Sequence, residues 1–196
     1  MRLAMYIFVF IAVIIFGLVM YSFTFKDIET PKYQVIKSFG KVEIRKYPNL
    51  ILAQTKLGSS EYKSSGNNGF RTVANYIFGG NSKQQKIAMT APVIMNMGDS
   101  ASMSFVMPAE YEMNDLPKPA SDQVQIREQE SKTLAVLRFG GYSDDEKIQK
   151  YVERLEDVLI ENKIKVKSAL LYMGYNAPWD VVNRRNEVAF EVEFEY

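Results

Sequence analysis

The chain of 196 residues contains no histidine and no cysteine. Their absence removes the usual nucleophile–base pairs, the usual zinc sites, disulfides, thiol chemistry and lipid attachment through a thiol. An excess of charge of either sign is also missing. Twenty-four basic residues face 23 acidic ones, so no net field steers the chain to nucleic acid, and none is expected as a partner. A glycine-rich phosphate cradle would open a helix, whereas Gly79-Gly80 follows a helical pattern. The carboxylates sit in ordinary places. Asp144, Asp145 and Glu146 mark a helix start, and Glu191, Glu193 and Glu195 alternate along a strand. No catalytic constellation or metal site emerges, and the expectation is a binding protein rather than an enzyme. A carboxylate-based hydrolase would be visible only in geometry.

What is present begins with a long apolar run. Residues 3–25 carry no charge, and 23 residues at about 1.5 Å each suffice to cross a hydrocarbon core of about 30 Å. Arg2 precedes the run, while Lys26, Asp27, Glu29 and Lys32 behind it cancel. This pattern predicts a single-pass transmembrane helix in the cell membrane, with the following domain on the extracytoplasmic side. The alternative is a cleaved signal peptide, against which stand the bulky residues Tyr21, Phe23 and Phe25 where small ones are wanted. Residues 26–32 read as a linker and 33–196 as one domain.

That domain is internally repeated. Val42, Ile44, Arg45, Ala53 and Gly58 recur as Val124, Ile126, Arg127, Ala135 and Gly140, each 82 residues on. Ala91-Pro92 then pairs with Ala177-Pro178 after a further four-residue offset. The halves, about 33–107 and 122–196, each read strand, strand, helix, strand, strand. In the first, residues 33–39 form a lead-in strand, and 42–47 and 50–57 follow with β-branched or alternating patterns. Residues 59–69, polar and glycine-rich, read as a loop. Phe70, Val73, Ala74 and Ile77 then share a helix face, and Gly79-Gly80 stops it. Residues 87–97 and 102–107 close the half, with Pro92 marking an edge or bulge. The proline-bearing segment 108–121 connects the halves. In the second, residues 124–129 and 133–139 are strands, and Ser143-Asp144-Asp145-Glu146 is a capping box. The helix behind it buries Ile148, Tyr151, Val152, Leu155, Val158 and Leu159. Residues 169–175 and 187–194 finish the half, the latter with Val188, Phe190, Val192 and Phe194 inward. The fold class is therefore α+β: an internally duplicated, distorted antiparallel β-barrel of about eight strands with two flanking helices, plus the N-terminal transmembrane helix.

Six of the ten methionines fall between Met89 and Met113. Such a run is either an adaptable core or a deformable wall for a flat apolar ligand. The Arg184-Arg185-Asn186-Glu187 run reads as a polar turn whose charges satisfy one another, or as guanidinium groups for a ligand's carboxylates.

Several motifs together resemble the SOUL haem-binding family: Val42 to Tyr47, the helix running through Tyr76-Ile77-Phe78-Gly79-Gly80-Asn81, and Lys86-Ile87-Ala88-Met89-Thr90-Ala91-Pro92-Val93. Phe139-Gly140-Gly141, Gly174-Tyr175-Asn176-Ala177-Pro178-Trp179 and Arg184 to Val188 follow in the family's order. The resemblance implies a distorted barrel of two βαββ-like halves that binds haem or another porphyrin against the first helix. On this chain that site would comprise Phe70, Val73, Ala74, Ile77 and Met89. In some relatives a histidine proposed to ligate iron follows Ile-Arg; here that position is Lys46. The resulting expectation is a membrane-anchored module holding haem, a tetrapyrrole or a similar hydrophobic small molecule by apolar contact. The alternative is a ligand-free interaction domain of the same fold.

Overall fold

The computed structural model describes residues 28–177, 180 and 182–194. The apolar run 3–25, the start of the linker and the residues Pro178, Trp179 and Glu195 lie outside them. No helix among the described residues is long and apolar enough to cross a membrane.

Along the chain run β1 (Gln34–Phe39), β2 (Val42–Tyr47), β3 (Leu50–Lys56), α1 (Tyr62–Ile77), β4 (Val93–Asn96), β5 (Ser102–Val106) and β6 (Val124–Gln129). They are followed by β7 (Lys132–Phe139), α2 (Asp145–Glu161), β8 (Lys165–Val166), β9 (Leu171–Gly174) and β10 (Asn186–Glu193). The ten strands among the described residues exceed the eight expected because β1, the lead-in strand, pairs with β2 along its length with a register shift between Val35 and Lys37, and the two-residue β8 pairs with β10. They form one antiparallel sheet, nine of them in the order β1-β2-β7-β10-β9-β4-β5-β3-β6 with β8 off this path beside β10. Closure into a barrel is met only in part, because the order ends at β1 and β6 and leaves the sheet open.

This order carries the duplication. Exchanging β2 with β6, β7 with β3, β10 with β5 and β9 with β4 reverses the run from β2 to β6 and leaves it unchanged. The register agrees. Val42 faces Leu137, and Val124, 82 residues later, faces Thr55, which lies 82 residues before Leu137. Ala53 faces Phe105 and Ala135 faces Phe190, so an alanine makes room for a phenylalanine in each half. The repeated Ala-Pro is not part of this correspondence. Ala91-Pro92 precedes β4, whereas Ala177 follows the equivalent strand, β9.

Both helices cover the same face of the sheet. One row of partners runs Phe139, Asn186, Gly174, Val93, Phe105, and partners in a row share a face. Phe139 packs in the α2 core with Ile148, Val152, Leu155 and Leu159, while Phe105 packs in the α1 core with Val73, Tyr76 and Ile77.

Two expectations need correcting. The segment read as a loop at 59–69 is helical from Tyr62. Glycine lowers helix propensity, but tertiary contact prevails here. Gly69 is buried, and a Cβ on it would lie 2.4 Å from Leu57 Cδ2 and 3.3 Å from Met103 Cβ, so its small size lets α1 settle on the sheet. The second correction is at Pro92. The strand does not span it; β4 begins at Val93 after a cis Ala91-Pro92 bond, and lies inside the sheet between β9 and β5. A proline outside the ladder removes no hydrogen bond from it.

Candidate functional site

The four residues predicted for the α1 face, Phe70, Val73, Ala74 and Ile77, and Met89 beside them do come together. Val73 and Ile77 are wholly buried, Ala74 nearly so, in one cluster with Met103, Phe105 and Met107. Phe70 and Met89 are half-buried against this cluster, and the Phe70 ring lies 5.2 Å from that of Phe105. The arrangement is an apolar wall whose inner layer is core and whose outer layer is Phe70 and Met89. Met95, Met103 and Met107 are buried side chains that fill the core, as adaptable thioethers do. Asn81, buried behind the Gly79-Gly80 stop, locks the end of α1. Its amide donates to the carbonyls of Tyr76 and Gln85 at 2.9 and 2.7 Å.

On the opposite face lies a charged cluster that the sequence did not disclose. Glu187, read as part of a polar turn, has no exposed surface. Its carboxylate accepts from Arg45 Nη1 at 3.0 Å, Arg185 Nε and Nη2 at 3.0 and 2.8 Å, and the Tyr175 hydroxyl at 2.8 Å. Arg45 also donates to Glu43 at 2.7 Å and lies 4.4 Å over the Tyr33 ring. The Arg185 guanidinium stacks 3.8 Å over Tyr175. The expected pairing of Arg185 with Glu187 is present; what the turn reading missed is burial, because Glu187 shares the strand face of Glu191 and Glu193 and packs at the β9 end beside Met173, Ala189 and Tyr175. The available signal was Arg45, a guanidinium in the middle of the strand-like run 42–47.

The electrostatics follow from burial and partners. Burial opposes the charge on Arg45, but the Glu187 carboxylate, Tyr47 and Glu43 outweigh it, and its pKa stands above the ordinary guanidinium value. Burial likewise opposes the charge of Arg185, and Tyr175 and Glu187 outweigh it. Burial, then the Glu187 charge, holds the Tyr175 hydroxyl far above the usual phenol range. Tyr47 and Tyr172 are raised chiefly by burial too, and Tyr76 is pushed up to about 12 by burial with a contribution from Tyr111. All four phenols stay protonated through neutral pH, which makes them donors rather than anionic ligands.

Two surface clefts flank the α2 half. The larger, about 670 Å³, is lined by Lys41, Glu43, Arg138, Phe139, Gly140, Gly141, Asn183 and Arg184. The smaller, about 370 Å³, holds Tyr33, Tyr47 and the exposed Lys46. Neither the four α1-face residues nor Met89 line either cleft.

Known proteins with this pattern form a consistent group. The family model described as SOUL heme-binding protein matches residues 28–191. Heme-binding protein 2 of Homo sapiens is 30% identical over 82% of this chain and 84% of its own length. Heme-binding protein 1 of Xenopus laevis is 26% identical over 76% and 82%. Among solved structures, the EcmrR C-terminal domain superposes with a TM-score of 0.60 at 12% identity, covering 82% of this chain and 98% of that domain, a likeness of fold alone. With the family match running from before β1 into β10, the chain belongs to the SOUL heme-binding protein family.

Proposed function

We propose that this chain is a binding module, not an enzyme, for haem, another tetrapyrrole or a similarly flat apolar ligand. The observation that carries the reading is the family match over 28–191, with relatives named for haem that align over most of their length. The ligand ring lies against the α1 half, touching half-buried Phe70 and Met89, with Val73, Ala74 and Ile77 as the apolar backing. These residues suit a porphyrin ring, since they offer apolar area and no imidazole. Haem brings iron chemistry when bound; this chain's residues supply apolar contact and exclude water from the covered face. Residues 3–25 tether the module to the cell membrane with the domain extracytoplasmic, a reading supported by the uncharged run and by Arg2 before it.

A second reading is a ligand-free interaction domain, favoured by the filled core behind α1. The two separate on the half-buried residues. A charge at Val73 or Ile77 would break the core itself, so Phe70→Ala and Met89→Ala are the informative variants. Each removes apolar contact of about 1 kcal/mol and should weaken binding of protoporphyrin IX, read by its fluorescence, about fivefold. Unchanged affinity in both variants contradicts the α1 site. No binding by the unaltered chain favours the interaction domain.

A further inference from the structure

The stretch read as a linker has no slack. Residues 26 and 27 alone separate the apolar run 3–25 from Ile28, and from Glu29 onward the chain is docked. The Glu29 carbonyl accepts from the Ala91 N–H at 2.8 Å, and its carboxylate Oε1 accepts from the Ala109 N–H at 2.8 Å. Further on, the Tyr33 ring lies 5.1 Å from that of Tyr47 and 4.4 Å beneath the Arg45 guanidinium. Three peptide steps of at most about 3.6 Å leave Ile28 no more than about 11 Å from the end of the run. A bilayer's headgroup layer is about 5–8 Å deep on each side of its hydrocarbon core. With the run in that core, the edge of the domain at Ile28 meets the headgroups.

This edge is apolar and adjoins the α1 face. Ala91, held by Glu29, is two residues from Met89. The segment 86–91 leads back from there to the end of α1, where Phe78 bridges Lys86 and the Ile87 N–H donates to the Ile77 carbonyl at 2.8 Å. Phe78 is 60% exposed and Ile28 44% exposed, and exposed Ala88 and half-buried Met89 stand between them. Single apolar side chains scattered on a surface need no account, but these two mark the ends of one short segment. The neighbouring charges suit a zwitterionic layer. Exposed Lys86 can extend its amine to lipid phosphates, and the Glu29 carboxylate is engaged by Ala109. Resting on the reading of a tethered module, we infer that the edge formed by Ile28, Phe78, Ala88 and Met89 lies on the lipid headgroups, and that the α1 site exchanges its flat apolar ligand directly with the bilayer. A ligand taking this route never exposes its apolar area to water, which is costly.

The full chain in phosphatidylcholine bilayers, with and without a gadolinium-chelating lipid, tests the placement. With gadolinium the amide signals of Ile28, Ala88 and Met89 should be lost from the NMR spectrum, while Val166 keeps most of its intensity. Val166 pairs with Val192, six residues along β10 from the row of Asn186, Gly174 and Val93, about 20 Å at roughly 3.3 Å per residue. A second arm places protoporphyrin IX either in the same vesicles as the chain or in separate ones, and follows its fluorescence. Loading from the same vesicles should be severalfold faster. Phe78→Asp, at an exposed position, should leave the fold intact and slow that loading. Unaffected Ala88 and Met89 amides in a chain that floats with lipid, or equal loading in the two arrangements, overturns this inference and leaves the tether standing. A chain that stays in the aqueous fraction on flotation, as a run folded back on α1 would keep it, overturns the tether and this inference together.

Discussion

At the scale of single residues, the Glu187 carboxylate organises the face opposite the helices. It is wholly buried and receives two guanidinium groups and a phenol. Removing one member of a buried ion cluster leaves the others uncompensated in a poor solvent for charge. Glu187→Gln should therefore cost about 3–5 kcal/mol in urea unfolding; a loss under 1 kcal/mol would contradict this role. The buried tyrosines set a pH dependence. Tyr76 has a folded pKa of about 12, against the ordinary phenol value of 10.0. The unfolded chain gives up this proton first, so the native state holds more protons in the window between. Its contribution is intact below pH 10 and is lost as pH rises towards 12. The melting temperature should fall across that window, and Tyr76→Phe should flatten part of the slope, which a thermal scan at stepped pH would show. These residues were the least legible part of the sequence. Apolar side chains announce burial by periodicity, whereas a buried acid looks like a surface one until its partners, here 142 residues away at Arg45, are known.

At the scale of elements, the two helices were read from different signals and are tied together at their starts. The expected box at 143–146 resolves into two caps. Asp144 caps its own helix, its Oδ1 accepting from the Lys147 N–H at 2.8 Å. Asp145, the first residue of α2, caps the other helix and accepts from the N–H groups of Tyr62 and Lys63 at 2.7 and 3.2 Å. Glu61, at the N-cap position of α1, makes no capping bond with its own side chain. That is why the start of α1 was illegible: its cap comes from a residue 83 positions later. The apolar stripe from Phe70 to Ile77, by contrast, follows from local spacing alone, and the structure keeps it as a packed face. Asp145→Ala should cost about 1–2 kcal/mol and speed hydrogen exchange at Tyr62 and Lys63. Exchange unchanged at both amides would show that α1 begins without this cap.

At the scale of the whole molecule, the repeat was the most legible feature. An offset of 82 read from matched valines, arginines and alanines reappears in the strand register, because side chains that pack alike are placed alike. What it could not convey was whether the sheet closes, since edge pairing depends on β1 and β6, where the repeat has no counterpart for β1. The central proposal is functional: that the α1 half holds a tetrapyrrole by apolar area, without coordination by histidine, which the sequence lacks. The direct measurement is a paired titration of the full chain with haem and with metal-free protoporphyrin IX, the first followed by its Soret band and the second by fluorescence. The expected result is two affinities within about tenfold, a difference of roughly 1.4 kcal/mol or less, and no change on Lys46→Ala. Haem binding far more tightly than the metal-free ring, or losing its Soret shift in Lys46→Ala, would contradict the account and assign the iron a protein ligand.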